Sequence, residues 1–193
     1  MARGVRSYRY RVMASGKRKE RREARLRDIM QDAEGNVVYT GDLWKIDGSE
    51  EAGSGSRQRA ILIAVLAALA LVVIGSGCID AKNAMGSFSV VLPYIGEVSA
   101  LFGLAWNGVK VLAPSGGVRT YTLEHSRPRI PGACRILTVF ALAGLLFSAI
   151  YMVRHGAGGK TADGIAYLML KFAAAALAEW YGRRFRATEW TRI

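Results

Sequence analysis

Apolar residues in this chain are gathered into long blocks rather than spread at a helical or strand period. The first block, residues 60–77 (AILIAVLAALALVVIGSG), runs for 18 residues without a charge. At about 1.5 Å per helical residue it is long enough to cross a hydrocarbon core of about 30 Å. Residues 88–113 form a second, more polar block containing Pro93, Glu97, Asn107 and Lys110. A third block, 133–153, has only Arg135 near its start, and a fourth, 162–181, has Lys171 near its middle and Glu179 toward its end. The pattern predicts an all-α integral membrane protein, a four-transmembrane-helix bundle over residues 58–182 with spans at about 60–77, 88–113, 133–153 and 162–181.

The polar segments give the direction of the spans. Four spans put the N-terminal region, the 114–132 loop and the tail on one side. That side carries Arg119, Arg127 and Arg129 in the loop and Arg183, Arg184, Arg186 and Arg192 in the tail. The other two connections are short and carry Asp80 with Lys82, and Arg154 with Lys160. Because Lys and Arg near span ends are retained in the cytoplasm, both termini are expected inside, in a bacterial inner membrane. Tyr94 and Tyr151 then fall toward the outer ends, and Trp106, Trp180 and Tyr181 toward the inner ends, where aromatic side chains favour the membrane interface.

Residues 1–57 read as a small basic cytoplasmic α+β region, and residues 183–193 as a basic cytoplasmic tail. Through residue 30 there are eleven Lys and Arg against three acids, whereas residues 31–56 hold Lys45 against six acids. The run KRKERREARLRDIM lacks Gly and Pro and predicts a helix over about 17–30. VVYT and LWKI flank Gly41 and Asp42, which predicts a β-hairpin at about 37–46. Residues 50–56 (EEAGSGS) read as a linker.

Composition narrows the partners. A formal charge of +12 suits nucleic acid, acidic partners or anionic lipid. The membrane blocks favour lipid, with Arg9, Arg11, Lys17, Arg18, Lys19, Arg21 and Arg22 on anionic headgroups at the cytoplasmic face. Nucleic acid is disfavoured because no recognised binding motif accompanies the charge.

Within the spans, a charge at mid-bilayer costs at least about 2.5–3.5 kcal/mol on insertion scales, so Glu97 and Lys171 stand out. Glu97 lies seven residues beyond Val90 and Lys171 eight beyond Asp163, which gives the two similar depths and makes them candidate ion-pair partners. At about 100° per residue, Gly164, Lys171, Ala175, Ala178 and Gly182 share a face of the fourth span. In the second span Gly96, Ser99, Gly103, Asn107 and Lys110 form a similar face with Glu97 at its edge. Asn107, Lys110 and Glu179 make a second candidate polar cluster nearer the cytoplasm.

Catalytic and cofactor chemistry is not legible. His125 and His155 fall on opposite sides of the membrane, and Cys78 and Cys134 have no metal-ligand spacing. GAGGKT at 156–161 lacks the spacing of a phosphate loop. No metal or cofactor is expected. The sequence therefore reads as a non-enzymatic accessory or scaffold component of a membrane complex, as a homo-oligomer or within a larger assembly. The alternative is a small transporter or channel subunit using Glu97 and Lys171.

Overall fold

The computed structural model describes residues 29–31, 37–39, 41–47, 54–79, 87–114, 116–155 and 161–193. The elements are β1 (Ile29–Gln31), β2 (Val37–Tyr39), β3 (Leu43–Ile46), α1 (Ser54–Cys78), α2 (Phe88–Leu112), β4 (Val118–Arg119), α3 (Thr120–Ser126), α4 (Arg129–His155), α5 (Thr161–Arg186) and β5 (Trp190–Arg192). Each apolar block forms a helix. Three stretches are long and apolar enough to cross a membrane: Gly55–Cys78, Phe88–Leu112 and Thr120–Arg154. α5 is of similar length, but Asp163, Lys171 and Glu179 among its alanines and glycines make it less apolar.

The long helices form a ring. α4 packs on α2 and on α5, and α1 packs on α5 and less extensively on α2, leaving α2 and α5 diagonal to one another. The interior is lined by Leu62, Leu66, Leu69 and Val73 of α1, Leu101 and Leu104 of α2, Leu137 and Ala141 of α4, and Ala174, Ala178 and Tyr181 of α5. Leu71, Phe102, Val139 and Phe172 point outward and are exposed, as helices apolar on every side require when their solvent is lipid. Between helices in lipid there is little hydrophobic driving force, and small residues at the contacts let side chains interlock. A Cβ on Gly108 would meet Leu66 of α1, and one on Gly182 would meet Cys134 of α4.

The stripe read from α5 is its contact face: Gly164, Lys171, Ala175, Ala178 and Gly182 are all buried. The stripe read from α2 is not. Ser99, Gly103 and Lys110 are exposed, and the buried face runs through Val90, Pro93, Glu97, Leu101, Leu104, Gly108 and Val111. Glu97 is thus central to that face rather than at its edge. A small-residue stripe marks a contact only where a neighbour approaches, and nothing lies within reach of a Cβ on Gly103. Tyr181, expected at the interface, is buried in the core beside Phe185, with ring centroids 6.2 Å apart.

The strands also differ from the expected hairpin. β2 pairs antiparallel with β1, placing Tyr39 opposite Ile29, so Ile29 and Met30 belong to a strand rather than to a helix end. β3 pairs instead with β4 on one side and β5 on the other, with Trp44 opposite both Val118 and Arg192. Strand segments this short carry too little alternation to choose a partner, and tertiary contacts decide the pairing. Residues 17–28 of the expected helix and 50–53 of the expected linker lie outside the described residues, and α1 already begins at Ser54.

The three-stranded sheet is fastened to one end of the bundle. Trp44 Nε1 donates to Thr120 Oγ1 at 3.0 Å, Gln58 Nε2 donates to Thr188 Oγ1 at 2.9 Å, and Arg192 pairs with Asp42 at 2.6 Å. Gly117, before β4, has φ +108° and comes so close to Leu43 and Ile193 that a side chain there would be crowded as well as strained. Arg59 of α1 donates through Nε and Nη2 to the carbonyls of Leu112 and Ala113, closing the C-terminal end of α2. Arg59→Met should lower the unfolding free energy by about 1 kcal/mol, since it frees two helix-end carbonyls that are only partly buried. Denaturant unfolding of the purified protein in detergent checks this; unchanged stability would show that water replaces the guanidinium without loss.

Candidate functional site

Glu97 and Lys171 meet in the interior. Lys171 Nζ donates to Glu97 Oε2 at 2.7 Å, and both side chains are 0% exposed. The contact crosses the ring between the diagonal helices α2 and α5, which also meet where Val90 packs on Tyr167. Gly144 of α4 makes the reach feasible. A Cβ there would sit 3.2 Å from Glu97 Oε1, 3.6 Å from Pro93 Cβ and 3.8 Å from Lys171 Cδ, and any longer side chain would occupy the pair's own space.

The ammonium is enclosed on other sides by aromatic rings. Lys171 Nζ lies 4.7 Å from the ring centroid of Tyr94 and 5.1 Å from that of Tyr167. Ring faces are negative, so both add to the attraction supplied by the carboxylate in a setting without competing solvent. Tyr167 is one helical turn before Lys171, and Ser148 is one turn beyond Gly144. Glu97 Oε1 is buried without a hydrogen-bond partner among the described residues, and Ser148 Oγ and the Tyr167 hydroxyl are buried beside each other, near hydrogen-bonding range. The site is therefore an ion pair with unused acceptor and hydroxyl capacity beside it.

Asn107, Lys110 and Glu179 are each engaged on their own helix. Asn107 Nδ2 donates to Gly103 O at 2.7 Å, Lys110 Nζ sits 4.4 Å over the Trp106 ring, and Glu179 accepts from Arg183 Nε at 2.8 Å. Arg9, Arg11, Lys17, Arg18, Lys19, Arg21 and Arg22 lie outside the described residues. His125 stacks on Tyr121 with centroids 4.6 Å apart. Cys134 is buried and Cys78 exposed, and both are free thiols. Among the described residues no three His, Cys, Asp or Glu side chains are placed to hold a metal ion.

Sequence reasoning missed Gly144, Ser148 and the part played by Tyr94 and Tyr167. One signal was present: Gly144 is the one glycine of the 133–153 block and lies near its middle. No protein-family model, curated protein or solved structure matches the chain.

Proposed function

We propose that this is a four-span, non-enzymatic protein of a bacterial inner membrane, an accessory or scaffold component with both termini in the cytoplasm. The observation that carries the topology is the sheet joining residues 43–46, 118–119 and 190–192. Partners in one sheet lie on one side of a membrane. Two long helices, α1 and α2, separate β3 from β4, and two more, α4 and α5, separate β4 from β5. If α4 crosses, the chain returns to the sheet only through α5, which favours a fourth span despite its lower hydropathy. The charge at its middle that helps lower that hydropathy, Lys171, is neutralised against Glu97.

Arg57, Arg59, Arg119, Arg127, Arg129, Arg183, Arg184, Arg186 and Arg192 cluster on segments at the sheet end, in keeping with a cytoplasmic side. The basic run at residues 9–22 would add contacts to anionic headgroups, each worth on the order of 1 kcal/mol near the surface. An accessory role is supported by the use made of the polar groups: they join helices, close helix ends and anchor the sheet.

A second reading, a small transporter or channel subunit using Glu97 and Lys171, is favoured by one observation. The unpartnered Glu97 Oε1, with Ser148 Oγ and the Tyr167 hydroxyl buried next to each other beside the pair, is the kind of arrangement that passes protons or water inside a membrane. The native mass and composition of the tagged protein, extracted in mild detergent or nanodiscs, separate the readings. Reproducible heterologous subunits support the accessory role. A self-contained homo-oligomer whose proteoliposomes show a flux abolished by Glu97→Gln, with the oligomer intact, would replace that role with transport.

A further inference from the structure

A cleft of about 320 Å³ opens between the three-stranded sheet and the adjoining ends of α1 and α2. Trp44, Lys45 and Trp190 form its sheet side, and Gly55, Ser56 and Arg59 its helical side. We propose that this cleft holds the phosphate headgroup of an anionic phospholipid from the cytoplasmic leaflet. The proposal rests on the four-span reading, which puts this end of the bundle at the inner membrane surface.

Charge complementarity is the first argument. Among the described residues the lining contains two cations and no acid. Arg59 is held in place by its bonds to the α2 carbonyls, which use Nε and Nη2 and leave Nη1 and its protons for another acceptor. Lys45 is exposed on the central strand, a mobile cation opposite a fixed one. Gly55 and Ser56 belong to the first turn of α1, where backbone N–H groups have no carbonyl partner within the helix and the helix dipole favours an anion.

Shape and depth are the second argument. Trp44 and Trp190 line the cleft half-buried against the core, with Trp44 Nε1 bonded to Thr120 Oγ1, and large amphipathic rings of this kind favour headgroup level. Val111 and Pro114 line the cleft at the C-terminal end of α2, so the lining joins two cations, Lys45 on the sheet and Arg59 on α1, to an apolar strip. A free phosphate would use only the first half of that lining. A phospholipid uses both.

The test is lipid retention by the full-length protein in detergent, read by native mass spectrometry against phosphatidylglycerol, phosphatidylcholine and inorganic phosphate. Phosphatidylglycerol should be retained at one molecule per chain, and Lys45→Glu should weaken retention roughly tenfold, because it reverses one surface charge beside the headgroup. Arg154→Glu, the same charge change on an exposed residue elsewhere, should leave retention unchanged. Ser56→Glu, which adds an acid on the helical side, should repeat the Lys45→Glu result.

Equal retention by Lys45→Glu and the native chain would overturn the proposal. Equal retention of phosphatidylcholine, or displacement of phosphatidylglycerol by inorganic phosphate at matched concentration, would do the same. Retention in detergent is independent of sidedness, so its failure rejects the cleft alone. Labelling of a Lys45→Cys variant in a Cys78→Ser background from the outer face of sealed cells would instead reject the topology.

Discussion

Lys171→Met alone should cost the folded protein about 3–5 kcal/mol, the range for removing one partner of a buried ion pair. The loss is not simply that of a contact. Glu97 would remain fully buried, with neither carboxylate oxygen bonded to the ammonium and two tyrosine ring faces directed at the space the ammonium had filled. Glu97→Gln should be less severe, because an amide keeps an acceptor for Lys171 while losing the charge. The double variant Glu97→Gln with Lys171→Met should recover most of the loss, since neither remaining group is charged. Unfolding of the four proteins in one detergent gives the coupling energy. Additive losses would mean that the two side chains do not act as a pair. The reversed pair, Glu97→Lys with Lys171→Glu, should assemble better than either single reversal.

Gly96→Leu is the second large effect. A Cβ at residue 96 would lie 2.5–2.7 Å from three ring carbons of Phe140, so even alanine forces either the ring or helix α4 to move. Overpacking of this kind typically costs about 1–3 kcal/mol, and leucine belongs at the upper end. The change also reaches the ion pair: α4 carries both Phe140 and Gly144, and a shift of α4 away from α2 would disturb the space through which Lys171 approaches Glu97. Phe140→Ala in the same chain should return much of the stability. Rescue read as folded yield and midpoint in detergent supports direct interlocking; no rescue would assign the effect of Gly96→Leu to the helix itself.

What was legible in the sequence was whatever the membrane makes expensive. Apolar blocks long enough to span became helices, and the two mid-block charges, marked by depth alone, became partners. The face of α5 was readable because Lys171 and the small residues needed the same neighbour. On α2 those two requirements diverged: Glu97 turned inward while Ser99 and Gly103 turned out, and the stripe misled. Gly144 was hidden because a glycine in an apolar helix announces no partner until the lysine passing it is known. The sheet was least legible. β4 is two residues long and joins β3 across more than seventy positions, so pairing there is a consequence of the helix ring and not of any local pattern.

The most direct test of the account is the sidedness of single cysteines at residues 119 and 192, in a Cys78→Ser background, toward a membrane-impermeant thiol reagent on sealed cells. Residues 119 and 192 lie in β4 and β5, on either side of α4 and α5. Protection of both from outside, with a cysteine at residue 154 labelled, is the expected result and requires α5 to cross. Labelling of residue 192 from outside with residue 119 protected would mean three spans, and would contradict both the shared cytoplasmic sheet and the proposed four-span bundle.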